Sequence, residues 1–169
     1  MLLYSKTDIA DRVGELARDI SRDYSDKELV VIGILKGAFV FLADLVRSLT
    51  VPVTIDFLGL SSYGLGSQSS RRMTVTKDFQ IPIRGKHVLV VEDILDSGLS
   101  VEFALKMIRE REPASLRLCA LVDKRELRIV PVAADYVGFG LDRGFVVGYG
   151  MDYAECYRHM PEIYRLDFE

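Results

Sequence analysis

Residues 88–100, VLVVEDILDSGLS, hold the side chains whose types and spacing are best suited to chemistry. Four apolar residues run into two adjacent acids, Glu92 and Asp93. A third acid, Asp96, follows, and then Ser97, Gly98, Leu99 and Ser100. The apolar run predicts a buried parallel strand, and the amphipathic stretch 101–109 predicts a helix just beyond a tight loop. Paired carboxylates at the carboxyl end of a strand suit a sugar diol or a Mg²⁺ ion. Small residues ahead of a helix leave backbone N–H groups free to hold a phosphate. One short segment can thus grip both ends of a ribose 5-phosphate. The plainer readings are that Glu92 and Asp93 are solvated turn acids and that Asp96 caps the helix. The apolar strand weighs against the first. Ser97 and Ser100 are better placed to cap, which leaves Asp96 free to face a ligand.

These groups need a frame. Ile9, Val13, Leu16, Ala17 and Ile20 recur at helical spacing and share one face. Residues 29–35 read as a strand ending at Lys36-Gly37, followed by an apolar helix over 38–49. Strands are predicted over 53–58, 73–78, 87–91 and 116–122, with short ones at 136–139 and 145–147 split by a Gly-rich turn. Residues 61–72, SSYGLGSQSSRR, have no core pattern and read as a mobile loop. Alternating strands and helices predict an α/β fold, a mostly parallel twisted sheet flanked by helices. In such sheets ligands bind outside the carboxyl ends of the strands. Lys36, Glu92, Asp93, Asp96 and Lys124 all fall just after predicted strands, so they should converge on one edge. The aromatic stretch 141–169 is placed to cap that edge.

The chain has 169 residues, the size of one domain with a sizeable core. Its formal net charge of −3 gives no global basic field, so no nucleic-acid partner is expected. The apolar runs are too short to span a bilayer, and residues 1–5 lack the pattern of a secretory signal, so no membrane partner and a cytoplasmic location are expected. Cys119 and Cys156 show no metal spacing, and His87 and His159 are too scattered for a metal site.

The segment VVEDILDSG resembles the PRPP-binding motif of type I phosphoribosyltransferases. Leu35-Lys36-Gly37 resembles that family's pyrophosphate loop, and Ser61-Ser62-Tyr63-Gly64 its flexible lid. Leu121-Val122-Asp123-Lys124-Arg125 resembles its purine-contacting lysine segment, and FVVGYGMDY at 145–153 its purine-binding hood. All five occur in the order found in hypoxanthine(-guanine) phosphoribosyltransferases, and the compact length resembles the bacterial branch.

The resemblance implies one phosphoribosyltransferase domain over 1–169, with a lid near 61–72 and a hood near 141–169. The implied reaction joins a 6-oxopurine base to PRPP, giving a nucleoside monophosphate and pyrophosphate, with Mg²⁺ as cofactor. Glu92 and Asp93 would hold the ribose hydroxyls and, with Asp152, lie beside the metal. Ser97, Gly98, Leu99 and Ser100 would cradle the 5′-phosphate, although Leu99 stands where many relatives carry a basic residue. Asp96 would be the catalytic base at purine N7. Lys124 would donate to the exocyclic oxygen, an acceptor that adenine lacks. Phe145 would stack on the purine, and Val146 and Asp152 would touch its edge. Lys36, Gly37 and Arg158 would meet pyrophosphate, and Ser62 and Tyr63 would close over the site. A cis peptide near Leu35–Lys36 and a homodimer or homotetramer complete the implications. Two other readings compete: a xanthine-preferring enzyme of the same class, and a regulator that keeps the PRPP fold and binds RNA. The mildly acidic charge and the intact hood weigh against the regulator.

Overall fold

The computed structural model describes residues 1–63, 72–142 and 144–167. Its elements are β1 (Leu2–Tyr4), α1 (Lys6–Asp23), β2 (Leu29–Leu35), α2 (Phe39–Ser48), β3 (Val53–Tyr63), β4 (Arg72–Lys77), β5 (His87–Leu95), α3 (Leu99–Arg109), β6 (Ser115–Asp123), a short 3₁₀ turn (Arg125–Leu127), β7 (Tyr136–Gly140), β8 (Phe145–Val147) and β9 (Ile163–Leu166). A six-stranded sheet runs in the order β4-β3-β2-β5-β6-β7. Its pairings are parallel except for β4, which runs antiparallel to β3 at one edge. A smaller sheet, β1-β9-β8, joins the two ends of the chain with antiparallel pairs.

The apolar runs of β2 and β5 follow from burial on both faces. Alternate side chains point to opposite sides, so Val31, Leu89 and Val91 pack with Ile9, Val13, Phe41 and Leu45 of α1 and α2. Val30, Ile32, Val88 and Val90 pack instead with Ala104, Leu105 and Ile108 of α3. The α1 helix starts at a capping box. The Ser5 side chain accepts from the Asp8 N–H, and the Asp8 carboxylate accepts from the Ser5 N–H at 2.9 Å.

Three expectations change. The strand predicted over 87–91 continues to Leu95, because Glu92, Ile94 and Leu95 keep their pairing with β6. Glu92 and Asp93 are therefore strand residues, not turn residues. Ser61, Ser62 and Tyr63, read as loop, extend β3 by pairing with Thr74, Met73 and Arg72 of β4. The rest of that predicted loop, 64–71, lies outside the described residues. The third helix begins at Leu99 with Gly98, not Ser97 or Ser100, as its N-cap; the Ser97 hydroxyl accepts from the Leu99 N–H at 3.4 Å, and Ser100 lies inside the helix. The small strands β1 and β9 had not been expected, and β8 belongs to their sheet, not to that of β7.

Candidate active site

Because β2, β5 and β6 are parallel neighbours, Lys36, Asp96 and Lys124 leave the sheet at the same edge. There a cavity of about 310 Å³ is lined by Gly37, Glu92, Asp93, Asp96, Ser97, Gly98, Ser100, Asp152 and Arg158, among others. One cavity thus gathers residues from three separate stretches of chain that the sequence had singled out. Lys124 adjoins it through Asp96, and Phe145 stands beside Lys124. Leu99 faces a neighbouring cavity, which it shares with Ser97 and Ser100.

Glu92 and Asp93 are both buried, and among the described residues neither forms a salt bridge. Burial, and then the neighbouring Asp93 carboxylate, hold the Glu92 carboxyl well above its usual range. A buried pair of acids without a cation is costly, so this arrangement calls for a polar or cationic ligand. Gly37 explains how Asp93 fits. A Cβ at Gly37 would lie 1.9 Å from Asp93 Oδ2, so any larger residue would drive the carboxylate out. The Leu35–Lys36 peptide just before it is cis, as the resemblance implied.

Lys124 is the second unusual group. Its side chain is 4% exposed, its Nζ lies 3.9 Å from Asp96 Oδ2, and Asp96 is 47% exposed. Burial lowers the pKa of the Lys124 ammonium, and Asp96 only partly opposes this. The same Nζ stands 5.9 Å from the centre of the Phe145 ring, whose edge meets Tyr153 at 5.5 Å. An acceptor, a donor and an aromatic face therefore meet at one point, which is what a planar heterocycle with polar edges requires. Val146 itself is buried in β8.

Lys36 and Arg158 do not stand free to meet an anion. Lys36 Nζ is 2.8 Å from Glu155 Oε2, with both side chains mostly exposed. Arg158 pairs with Asp152 at 2.8 Å and donates to the Gly150 carbonyl at 2.8 Å. Its Nε is buried without a partner among the described residues. Asp152 also accepts from the Glu155 N–H. Among the described residues no group of three or more His, Cys, Asp or Glu is arranged to hold a metal ion alone. Glu92, Asp93 and Asp152 thus line one cavity without forming a closed metal cage.

Sequence reasoning quoted Asp123 and Tyr153 within the lysine and hood segments without giving either a role, and it passed over Arg128. Tyr153 sits in the aromatic stretch, but nothing in its spacing marks it as the partner of Phe145. Asp123 ends β6 in the same way that Glu92 and Asp93 approach the end of β5, which is a usable signal. Arg128 carries none, since it is one of several charged residues after Lys124. Burial separates them: the Arg128 side chain is 14% exposed and that of Arg125 83%.

Comparison with known proteins now bears on this geometry. The phosphoribosyl transferase domain family matches residues 3–154. A hypoxanthine phosphoribosyltransferase of Haemophilus influenzae is 43% identical over 99% of this chain and 96% of its own length. A hypoxanthine-guanine phosphoribosyltransferase of Aquifex aeolicus is 45% identical over 98% of this chain and 94% of its own. The crystal structure of a hypoxanthine-guanine phosphoribosyltransferase from Bacillus anthracis superposes with a TM-score of 0.94 at 44% identity, covering 99% of this chain and 98% of that one. With the five motifs in order and similarity running almost end to end, this chain belongs to the hypoxanthine(-guanine) branch of the phosphoribosyltransferase family.

Proposed function

We propose that this chain is a purine-salvage enzyme that transfers the 5-phosphoribosyl group of PRPP to hypoxanthine, and to guanine, giving IMP or GMP and pyrophosphate. The observation that carries this reading is the meeting of Asp96, Lys124 and Phe145 beside the cavity lined by Glu92, Asp93, Ser97, Gly98 and Ser100. A site for a 6-oxopurine adjoins a site for a sugar phosphate.

The purine forms a bond to C1′ of the ribose as the C1′–pyrophosphate bond breaks. Positive charge develops on the ribose and negative charge on the leaving group. Catalysis is therefore mainly positioning and electrostatics. Glu92 and Asp93 hold the ribose hydroxyls. Ser97, Gly98, Leu99 and Ser100 hold the 5′-phosphate through backbone N–H groups and hydroxyls at the start of α3. Asp96 accepts the proton at N7, Lys124 donates to the 6-oxo group, and Phe145 stacks on the ring with Val146 at its edge. Gly37, Lys36 and Arg158 receive the pyrophosphate once it displaces the Glu155 and Asp152 carboxylates. Ser62 and Tyr63, at the end of β3, close over the reacting bond and help exclude water.

The donors fit Mg²⁺. Buried carboxylates are hard oxygen ligands, and an ion that keeps several waters and substrate oxygens needs few of them. Glu92, Asp93 and Asp152 would hold it, and it would supply positive charge to the leaving pyrophosphate. The enzyme works in the cytoplasm as a homodimer or homotetramer. An apolar groove of about 700 Å³, between α1, α2 and the segment 149–161 and lined in part by the exposed Phe39, supports self-association. No helix among the described residues is long and apolar enough to cross a membrane.

The test is a product assay with PRPP, Mg²⁺ and each of hypoxanthine, guanine, xanthine and adenine. Hypoxanthine and guanine should yield the nucleoside monophosphate and stoichiometric pyrophosphate, and adenine little. Best turnover with xanthine would favour the xanthine-preferring alternative. No product with any base would defeat the reading.

A further inference from the structure

Three consecutive carbonyls, from the last residue of β5 into the loop before α3, are held from one side by the segment 124–129. The Lys124 N–H donates to the Leu95 carbonyl at 3.0 Å, and the Ile129 N–H donates to the Ser97 carbonyl at 2.9 Å. Between them the Arg128 guanidinium spans the gap. Its Nε donates to the Asp96 carbonyl at 3.0 Å and its Nη2 to the Leu95 carbonyl at 3.2 Å. The guanidinium is itself anchored, through the buried Asp123 carboxylate and the Val132 carbonyl. Packing is tight as well. Gly98 has φ +85°, and a Cβ there would lie 2.9 Å from both Arg128 Cδ and Val130 Cγ2. Only glycine suits that position on both counts.

We propose that Arg128 is a positioning residue for the 5′-phosphate site. This inference rests on the function proposed above. A peptide group is planar, so fixing a carbonyl also fixes the direction of the N–H of the next residue. By holding the Leu95 and Asp96 carbonyls, Arg128 fixes the N–H directions of Asp96 and Ser97 at the entry to the loop. The amides of the first turn of α3 have no partner within the helix. They bind an anion well only if the loop is already set, because otherwise binding must also supply the ordering entropy. The planar fork of arginine suits two adjacent carbonyls and a carboxylate at once, which a lysine ammonium matches less well. The geometry has a second consequence. Lys124 and Arg128 belong to one short segment, so the donor to the base and the anchor of the phosphate loop move together.

The experiment measures binding of IMP and of pyrophosphate, each with Mg²⁺, by calorimetry for the unmodified protein, Arg128→Ala and Arg128→Lys. IMP engages the phosphate loop, whereas pyrophosphate engages the Lys36 and Arg158 side of the cavity. Arg128→Ala should weaken IMP by about tenfold or more, the scale of one lost charged hydrogen bond, and change pyrophosphate by less than about threefold. Arg128→Lys should recover part of the IMP loss and none of the small pyrophosphate change. Parallel weakening of both ligands would mean that Arg128 merely supports the fold, and unchanged IMP binding would remove it from the site. If Arg128→Ala does not fold, Arg128→Lys carries the same test: a smaller IMP-selective loss supports the proposal, and a parallel or absent loss overturns it. Failure of the unmodified protein to bind IMP would overturn the function and this inference together. Binding by the unmodified protein without a split between the ligands overturns the role of Arg128 alone.

Discussion

At the amino ends of β6 and β7, Arg117, Asp23 and Tyr136 close a triangle of hydrogen bonds. Arg117 Nη1 lies 2.7 Å from Asp23 Oδ2 and 2.6 Å from the Tyr136 hydroxyl, which itself donates to Asp23 at 2.7 Å. The Tyr136 hydroxyl, aided by Arg117 against a modest desolvation, holds the Asp23 carboxyl below its usual range. Nearby, His87 Nδ1 and Ser115 Oγ are 2.7 Å apart. The buried Tyr24 hydroxyl is the exception there, without a partner among the described residues. At the carboxyl end of the same sheet the pattern reverses. Among the described residues, Glu92 and Asp93 are buried side by side without a cation, and the buried Lys124 has a single, long ion pair, with Asp96. The amino end spends its charges on the protein. At the carboxyl end Lys36, Arg158 and Arg128 are also paired within the protein, but Glu92, Asp93 and Lys124 are left for something that is not protein. Buried groups whose pairing is incomplete are where a ligand has the most to offer.

This contrast is open to attack from either end. The largest effect should come from Asp96→Asn, which leaves a similar shape but no base at N7. We expect kcat to fall by about 10²–10⁴-fold, the usual worth of a general base, with PRPP affinity nearly unchanged. Turnover equal to the unmodified protein, in an assay limited by chemistry, would take Asp96 out of the mechanism. Tyr136→Phe should do the opposite. Losing both hydrogen bonds of the Tyr136 hydroxyl at the partly solvated triangle should cost about 1–2 kcal/mol of stability, read from denaturant unfolding, with kcat and KM unmoved. Altered kinetics in Tyr136→Phe would mean that the two ends are coupled and would break the contrast.

A subtler prediction uses pH. Burial places the folded pKa of Lys124 below its unfolded value, so the unfolded chain keeps its proton to higher pH. The contribution of Lys124 to stability therefore rises with pH between the two values. Its donor function moves the other way, since the neutral amine loses its charge-assisted bond to the 6-oxo group. The alkaline limb of kcat/KM for hypoxanthine should begin below the ordinary lysine range, near ~10.4. In Lys124→Arg that limb should move upward, because guanidinium stays charged. A limb that does not move would assign it to another group.

The sequence made this site legible because its chemistry is concentrated. The apolar runs of β2, β5 and β6 are continuous because those strands are covered on both faces, and the acids beyond them interrupt that pattern visibly. What it hid has physical causes. Glu92 and Asp93 look like turn residues, yet backbone pairing with β6 continues through Ile94 and Leu95 whatever the side chains are. Ser61, Ser62 and Tyr63 look like loop, yet they meet β4 across an antiparallel pair. The strands β1 and β9 are short and only partly buried, and they join opposite ends of the chain, so no local periodicity marks them. Lys36 and Arg158 read as anion receptors, but their present partners, Glu155 and Asp152, are set by tertiary packing. Arg128 and Arg125 differ only in which one the fold buries.

Lys124→Met tests the central claim most directly, because it removes a buried charge whose one ion pair among the described residues is long. Asp96 is half exposed, so water can solvate the carboxylate that loses its neighbour. Replacing a poorly paired buried charge by an apolar side chain of similar length is often neutral or stabilising. The measurement pairs thermal unfolding with kcat/KM for hypoxanthine and for adenine. The account predicts a melting temperature at or above that of the unmodified protein. It also predicts a loss of about tenfold or more in kcat/KM for hypoxanthine, the worth of a charged hydrogen bond, with no parallel loss for adenine. A lower melting temperature together with equal losses for both bases would make Lys124 part of the scaffold, and the contrast between the two ends of the sheet would not stand.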